Sequence, residues 1–492
     1  MKKSLVWTNI HLHIFLCLYI IVLGIGLFHH EFWMDESHHW LLARDSASLS
    51  DLISNYEYDG HPIIWIFLLW IIGKFTSGII YIKILNGLIS TLNVIILLYK
   101  SPFRKIYRIL FVFGYYPLFE YGVLSRSYAL TVLFLLLFCV FYKQKGKLLL
   151  PFMLLGLAAN SHLFGLIFCV ILSGKILYDE RALVTKNMSA IGALLFLMMM
   201  AFVTIKAPSD HYFYFDLDNF FNTRKFGAVS TMWWKALVPI PDMWQENFWN
   251  TNYFTVNYRG LSVLLVLFSW IAPLVFLRRQ SRNYLVFYSF AIAIAVFCLL
   301  TGLHPTQRIS GFLLFGLVII FWLEKQSKLG GAYIVDLNSK TRSVLLYMFL
   351  SIQILSAGIF VVADVKRPFS NTKNISEFLD KHVDRNVPIY GGLFCNYIGL
   401  NNYSNMELYI AAQSYELNYC DWRVLNDSEH MKYMDRGVEI MQLNDYKEMI
   451  FLTHEEINLE NIINYNVELL NYFGNGMVKN ENAYVYRISR KI

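Results

Sequence analysis

Long apolar runs alternate with short polar connections over most of the chain. Six windows hold roughly 17 to 21 nearly uninterrupted apolar residues, about the length that a helix needs to cross hydrocarbon. They cover residues 9–28, 79–99, 188–205, 261–277, 284–301 and 343–363. With the shorter stretches between them we count about 11 to 12 apolar segments. The pattern predicts a mainly α-helical, polytopic membrane protein.

Two polar segments are long for connections between membrane helices. In residues 29–61, Leu42, Leu49 and Leu52 recur at near-helical spacing, which predicts two short helices along the membrane interface. The second segment, residues 206–258, is rich in Trp and Tyr. Such residues most often form an interfacial aromatic belt, although a segment of this length can also close over a site.

From about residue 365 the pattern becomes that of a soluble domain. "NISEFLDKHV" predicts an amphipathic helix, "VPIYGG" a strand, "EMIFLTHEE" a strand followed by a polar helix, and "NAYVYRI" a final alternating strand. We therefore predict two parts. Residues 1–364 form a transmembrane module, and residues 365–492 form a small α/β domain.

The composition agrees with a membrane protein. Of the 492 residues, 56% are hydrophobic, 17% aromatic and 16% charged, whereas a soluble domain carries about 25% charged residues. The formal net charge of +7 does not indicate nucleic acid. Most Lys and Arg lie in short connections such as "KSPFRKIYR", "KQKGK" and "LRRQSR", as in cytoplasmic loops. We expect no nucleic-acid partner.

The basic connections also orient the chain. "MKKSLVWTN" precedes the first apolar run without a small-residue cleavage site, which predicts an uncleaved first helix with a cytoplasmic N-terminus. Both long polar segments and the C-terminal domain then face outward. Residues 62–122, however, are most simply three helices, and three crossings cannot join two outer loops. Either one short segment does not span, or a basic loop lies outside; the sequence leaves this open.

The six cysteines fall into two groups. Four lie within apolar spans, as small packed hydrophobic residues do: Cys17, Cys139, Cys169 and Cys298. Cys395 and Cys420 lie in the polar C-terminal domain, on the predicted outer face, where a disulfide can form. Their spacing alone does not specify that pairing.

Ionisable side chains at a membrane edge are costly, so each is a candidate for function. Those on the predicted outer side are Asp35 and Glu36 in "MDESHHW", Asp59 and His61 in "YEYDGHPIIW", Arg126 and Tyr128 in "LSRSYAL", His162 in "NSHLFG", and His304 and Arg308 in "LHPTQR". Together they suit one chemistry. A carboxylate can accept the proton of an attacking hydroxyl, while Arg, Tyr and His can bind a phosphate whose lipid tail stays in the bilayer.

Several of these residues also have a simpler explanation. Asp35 and Glu36 could cap a helix, where carboxylates commonly lie. His61 could be a polar residue before a proline that enters the membrane. Arg126 could extend its charge from a helix end to water, and His162 could be a hydrogen-bonded packing residue. The functional interpretation depends on their lying together.

The order of these motifs resembles the GT-C superfamily of membrane glycosyltransferases, in particular the branch of protein O-mannosyltransferases and aminoarabinose transferases. The resemblance rests on "MDE" opening the first outer loop, on "GHPIIW", "YYPLFEYGVLSRSYAL" and "GLAANSHLFGL", and on the final α/β domain. It implies an inverting transfer of a sugar from a polyprenyl-phosphate donor. The acceptor would be a lipid, glycan or protein on the outer face.

On the acceptor side, the resemblance implies that Asp35 is the general base. Glu36, Asp59 and His61 would support it or bind the acceptor. The match at His61 is incomplete, because the family more often has two prolines after the histidine and this chain has Ile63 at the second position.

On the donor side, the resemblance implies that Arg126 and Tyr128 bind the lipid phosphate. His162 would join them, with Ser161 replacing the threonine that is typical of the family motif. Among the residues towards the end of the membrane module, Arg308 is the best candidate for binding the same phosphate.

This chemistry requires no cofactor, because a phosphate held by arginine leaves without being protonated. Some GT-C relatives use a divalent ion with first-loop acids, so a metal stays open. His38 and His39 make only a weak metal site and are predicted to be interfacial.

Two other functions stay open. A transporter or flippase for lipid-linked saccharides would have ionisable residues near mid-membrane and internal repeats. A non-catalytic assembly component would not need Asp35. Richness in Lys, Asn, Ile and Tyr favours a bacterial cell membrane.

Overall fold

The structure is a computed structural model of the chain. It describes residues 9–142, 146–206, 208, 220, 222–279, 282–327, 333–335, 337–392, 395–404, 406, 408–410, 419–420, 433–457 and 465–491. Parts of the predicted outer segment 206–258 and of several basic connections therefore lie outside the described residues.

Most of the described chain as far as residue 366 is helical. They are α1 (Asn9–His29), α2 (Met34–Asp45), α3 (Leu49–Tyr56), α4 (Ile64–Gly73), α5 (Ile80–Lys100), α6 (Lys105–Val112), a π-helical turn (Tyr116–Glu120), α7 (Tyr128–Phe141), α8 (Leu149–Ala159), α9 (Leu163–Asp179), α10 (Arg181–Val184), α11 (Met188–Ile205), α12 (Thr223–Ser230), α13 (Met232–Leu237), α14 (Tyr253–Asn257), α15 (Arg259–Phe276), α16 (Asn283–Thr301), α17 (Gln307–Ser327) and α18 (Ser339–Lys366).

Among the described residues, six helices are long and apolar enough to cross a membrane: α1, α5, α11, α16, α17 and α18. Shorter apolar helices accompany them. The predicted mainly α-helical, polytopic membrane fold is confirmed. Helix α17 is the central one, since 72% of its apolar window is buried inside the protein, against 17% for α11. Arg308 lies at the first turn of this central helix.

Helix α4 accounts for the crossing that the sequence left open. Its 10 residues are too few to span about 30 Å of hydrocarbon. Near its C-terminus, Lys74 Nζ donates to the carbonyl of Ser46 at 2.8 Å, and Trp70 Nε1 donates to the same carbonyl at 3.0 Å. Both ends of α4 therefore lie beside the loop 29–61. Helix α4 is therefore a short segment that does not span.

A π-helical turn directs the chain towards Arg126. Gly122 follows this turn so closely that a Cβ there would lie 2.2 Å from the Leu118 carbonyl oxygen. Asn86 Nδ2, on α5, donates to the carbonyls of Gly122 at 2.8 Å and Leu124 at 3.2 Å. These contacts fix the backbone immediately before Arg126.

The C-terminal part is a five-stranded mixed sheet with flanking helices. Its described elements are α19 (Thr372–His382), β1 (Ile389–Gly391), a 3₁₀ helix (Cys395–Asn402), β2 (Leu408–Ile410), α20 (Tyr433–Leu443), β3 (Glu448–Thr453), β4 (Tyr465–Phe473), a 3₁₀ turn (Lys479–Glu481) and β5 (Ala483–Arg490). The strand order is β2-β1-β3-β5-β4, with β1 parallel to β2 and β3, and β5 antiparallel to β3 and β4. The predicted α/β character is confirmed.

The outcome differs among the individual elements of this domain. The structure contains the predicted first helix and the strands at "VPIYGG", "EMIFLT" and "NAYVYRI". The helix predicted after "EMIFLT" is absent from residues 454–457, which are irregular, and its remainder lies outside the described residues. Strand β4 was not predicted. Cys395 and Cys420 form a disulfide, a pairing that their spacing had not specified.

The C-terminal domain packs directly on the loop 29–61. Met34 N–H donates to Glu481 Oε1 at 2.8 Å, and Phe32 N–H donates to the Tyr403 hydroxyl at 3.0 Å. The domain thus holds the first turn of α2, where the acidic pair lies.

Candidate active site

Asp35 lies between two arginines that are distant in sequence. Arg308 Nη1 donates to Asp35 Oδ2 at 2.8 Å, and Arg126 Nη2 lies 3.7 Å from the same oxygen. Arg126 Nη1 also donates to the backbone carbonyl of Asp35. The Asp35 side chain retains 17% exposure. The structure therefore brings together three predicted site residues at a position that a substrate could reach.

Two tryptophans frame Arg308. Its guanidinium carbon lies 4.8 Å from the ring centroid of Trp33 and 5.9 Å from that of Trp249. The two rings meet edge to face, with centroids 4.8 Å apart. Stacking on aromatic faces keeps a planar guanidinium in one orientation, so Arg308 presents a preorganised cation.

Arg126 is nearly fully buried, and one of its donors is unpaired. Among the described residues, its Nε has no hydrogen-bond partner. A buried N–H without an acceptor is costly, and such groups often have a ligand as their partner. Arg126 therefore has one donor available for an anion.

The arginines keep Asp35 ionised. Burial alone would raise the pKa of Asp35, but Arg308 and Arg126 outweigh it and hold this pKa below its ordinary value. The carboxylate is thus charged at neutral pH, as a proton acceptor must be.

Glu36 points away from Asp35 into a buried ionic triad. Its Oε2 lies 2.9 Å from His30 Nε2, and His30 Nδ1 lies 3.0 Å from Asp364 Oδ2 on α18. Burial lowers the pKa of His30, but the two carboxylates overcome this and raise it to about 9. A protonated His30 therefore joins the end of α1 to α2 and α18.

Glu36 also organises the local backbone. Its Oε2 accepts from the N–H of Trp33 at 3.3 Å, which caps α2, and its Oε1 accepts from the N–H of Ser125. Ser125 precedes Arg126, so the same carboxylate positions α2 and the arginine segment. Glu36 is both a helix cap and a partner of the site.

Asp59 gathers three histidines around a buried carboxylate. His38 Nε2 lies 2.9 Å from Oδ1, His39 Nε2 lies 3.3 Å from Oδ2, and His61 Nδ1 lies 2.9 Å from Oδ2. Burial would raise the pKa of Asp59, but these histidines hold it well below its ordinary value. The prediction that His38 and His39 are interfacial is wrong, since both are buried. No periodicity signals a tertiary contact of this kind.

His38, His39 and Asp59 are the described residues whose donor atoms could hold a metal, all within 4.8 Å of one another. A metal-ligating histidine usually donates its other ring N–H to an acceptor. At His38 that other nitrogen, Nδ1, instead accepts from the N–H of Cys420 at 3.2 Å. Nε2 must then carry the proton, so His38 suits a hydrogen bond to Asp59 better than a metal.

Tyr128 and His162 line the same region beside α17. Their ring centroids are 5.2 Å apart, and the His162 ring lies 5.7 Å from that of His61 and 4.9 Å from that of Phe312. His162 Nδ1 accepts from the N–H of Phe164, so the histidine caps α9. Burial lowers the pKa of His162, and the ring is therefore neutral.

The site brings together seven predicted residues and leaves one candidate aside. Asp35, Asp59, His61, Arg126, Tyr128, His162 and Arg308 form a contiguous group, with Glu36 behind it. His304 is exposed in the connection before α17. Sequence reasoning missed His30, Asp364 and the two tryptophans that frame Arg308. Asp364 carried a usable signal, because an acid near the end of an apolar span is costly.

These features define a polytopic membrane protein whose cluster of ionised side chains lies under a small α/β domain. Two solved structures share this fold. ArnT from Cupriavidus metallidurans bound to undecaprenyl phosphate matches with a TM-score of 0.53 and 12% identity, over 98% of this chain and 98% of that chain. ArnT from the same organism in the apo state matches with a TM-score of 0.53 and 11% identity, over 96% and 97% of the two chains.

No protein-family model matches the chain, and no curated protein matches it. At 11% and 12% identity, the two matches show that the chain shares the fold of ArnT.

Proposed function

We propose that the protein is an inverting glycosyltransferase that uses a polyprenyl-phosphate sugar as donor. It transfers the sugar to a lipid, glycan or protein hydroxyl at the outer face of a bacterial cell membrane. The observation that carries the proposal is the partly open Asp35 carboxylate between Arg308 and Arg126. The ArnT fold supports it, since one of those structures contains undecaprenyl phosphate.

The reaction is a direct displacement at the anomeric carbon. The acceptor oxygen forms a bond to that carbon, and the bond from carbon to the phosphate oxygen breaks with its electron pair going to phosphate. The acceptor proton goes to Asp35. Arg126 and Arg308 hold the charge that develops on the leaving phosphate, so no acid needs to protonate it. A single carboxylate base suffices, whereas a glycosidase uses two carboxyl groups.

Donor binding also activates the base. Without donor, the arginines pair with Asp35 and keep its pKa below the ordinary value, which makes it a weak base. A donor phosphate competes for the same guanidinium groups. As they turn towards phosphate, the pKa of Asp35 rises and the carboxylate becomes a better proton acceptor. The donor therefore binds before the acceptor reacts.

His61 is placed to orient the acceptor. Its Nδ1 lies 2.8 Å from the Asp59 carbonyl and 2.9 Å from Asp59 Oδ2, so this nitrogen carries the proton. Nε2 then carries a lone pair and can accept a hydrogen bond from a hydroxyl. The His61 side chain is 34% exposed, which makes it accessible to such a partner.

The test is the release of polyprenyl phosphate by purified protein that is supplied with a panel of polyprenyl-phosphate sugars. Asp35→Asn keeps the side-chain shape but removes the base, and we expect release to fall about 100-fold or more. Asp45→Asn is the matched control, because Asp45 is an exposed residue of the same helix. Equal release by Asp35→Asn and wild type would show that Asp35 is not the base.

The same assay addresses the other functions. If no donor is consumed by wild type while vesicles containing the protein move lipid-linked saccharide across the bilayer, the protein is a transporter. Adding a chelator tests whether the reaction needs a metal ion. We propose that no metal is required, so release should continue at the same rate.

A further inference from the structure

A cavity separate from the Asp35 cluster lies between the membrane helices. Its volume is about 540 Å³, within the range of roughly 300 to 1,000 Å³ that is typical of ligand sites. None of the predicted site residues lines it, and along α17 its lining runs from Leu314 to Lys325, roughly 9 to 25 Å beyond Arg308 at 1.5 Å per residue. The cavity is therefore separate from the candidate active site.

The walls of this cavity are apolar. One face of α17 contributes Leu314, Leu317 and Phe321, which recur at helical spacing, and α13 contributes Trp233 and Leu237. Residues of α5, α6, α15 and α18 complete the walls. An apolar cavity of this size between membrane helices suits hydrocarbon chains rather than a water-soluble ligand.

The rim is cationic. Among the described residues that line the cavity, the basic ones are Arg104, Arg108, Arg278, Lys325 and Arg342, against the single acid Glu324. Two of the arginines meet at one aromatic ring: the guanidinium carbon of Arg342 lies 3.5 Å and that of Arg278 lies 5.4 Å from the centroid of Tyr333. Glu324 lies 3.8 Å from Arg278 and cannot offset all five charges. The rim therefore favours an anion.

A buried polar group lies on the cavity wall. Gln353 of α18 is 3% exposed and donates to the carbonyls of Ala236 and Leu237. Its Oε1 has no hydrogen-bond partner among the described residues. A buried acceptor of this kind suits a ligand that carries a hydroxyl group or a water.

We propose that this cavity binds an anionic phospholipid of the cytoplasmic leaflet. The phosphate lies at the arginine rim, and an acyl chain occupies the space between α13, α17 and α18. Charge complementarity selects the occupant, because a zwitterionic lipid would bring an ammonium group to a rim of net positive charge. Basic pockets between helices on the cytoplasmic side are known to bind anionic head groups. The excess of Lys and Arg in the connections that carry Arg104, Arg278 and Arg342 places those connections in the cytoplasm.

The experiment is native mass spectrometry of the purified full-length protein with equal amounts of palmitoyl-oleoyl phosphatidylglycerol and phosphatidylcholine. We expect wild type to retain one phosphatidylglycerol molecule with at least about tenfold preference. Arg278→Gln combined with Arg342→Gln should abolish the preference. Val318→Trp, which fills the cavity and keeps every charge, should abolish retention itself.

The control is Arg181→Gln combined with Lys186→Gln. Both residues are exposed on another basic connection, and the guanidinium carbon of Arg181 also lies over a tyrosine, 5.1 Å from the Tyr178 centroid. This pair removes the same charge from outside the cavity and should leave lipid retention unchanged.

Three results would overturn the proposal. One is equal retention of the two lipids by wild type. Another is unchanged phosphatidylglycerol retention in both cavity variants, which would place the lipid on the outer surface. The third is one-for-one displacement by undecaprenyl phosphate together with loss of donor consumption in Val318→Trp, which would assign the cavity to the donor. Because the readout is lipid binding, the result does not depend on whether the protein transfers a sugar.

Discussion

Replacing Glu36 with glutamine tests the buried triad behind the site. Glu36, His30 and Asp364 have side chains with 0% exposure, and His30 lies within 3.0 Å of both carboxylates. Burial lowers the pKa of His30, but the carboxylates raise it to about 9. At neutral pH the triad is thus one cation between two anions. Glutamine keeps the shape of Glu36 and removes one anion.

The magnitude follows from the pKa of His30. Because that pKa is raised from 6.5 to about 9, the bound proton stabilises the folded state fully below pH 6.5, and this contribution is lost as the pH rises to 9. The whole shift is worth on the order of 3 kcal/mol. With one anion removed, we expect the pKa of His30 to fall towards 6.5. Because Asp364 still pairs with His30, Glu36→Gln should lose part of this amount at neutral pH, on the order of 1 to 3 kcal/mol.

The assay is thermal unfolding, followed by tryptophan fluorescence of the purified protein between pH 6 and 9. The midpoint of wild type should fall over this range, while Glu36→Gln should start lower and fall less. Glu57→Gln is the control, since Glu57 is exposed on the same outer loop. If the pH profiles of Glu36→Gln and wild type are parallel, His30 does not hold its proton through Glu36, and the reasoning is refuted.

Three further substitutions test other contacts. Asp59→Asn should lower the unfolding midpoint above pH 4 and remove the loss of stability that wild type shows on acidification, because the pKa of Asp59 is depressed. Arg308→Lys keeps the charge but loses stacking on Trp33, so the KM for donor should rise about tenfold, while the exposed Arg279→Lys should not change it. Cys395→Ser opens a disulfide that spans 25 residues and should cost about 3 to 4 kcal/mol; a reductant should then destabilise wild type alone.

The spans and several strands could be predicted because each depends on a local pattern. Apolar length marks the six long helices, and alternation marks β5. Strand β4 was missed because a bulge between Leu469 and Asn471 shifts its register and interrupts the two-residue period. The short helix α4 was ambiguous because its composition is that of a membrane span. Only the contacts of Lys74 and Trp70 with Ser46 show that it returns to its starting side.

The site was partly predictable for a different reason. Isolated charges in an apolar sequence are conspicuous, which singled out Asp35, Arg126 and Arg308 without any knowledge of their pairing. Their partners depend on tertiary contacts. The pairing of His38 with Asp59 joins α2 to the loop after α3, and that of His30 with Asp364 joins residues 334 positions apart. No spacing rule along the chain predicts such pairs.

The structure also separates the two adjacent carboxylates that the sequence could not distinguish. Successive residues of a helix point about 100° apart, so neighbours face different surroundings. Glu36 faces inward, where His30 and the Ser125 N–H occupy its oxygens and leave it 0% exposed. Asp35 faces the arginines and remains 17% exposed. In the proposed reaction Asp35 is the carboxylate that meets the acceptor, and Glu36 acts by holding the backbone beside Arg126. Glu36→Gln should therefore affect stability more than chemistry, whereas Asp35→Asn should do the reverse.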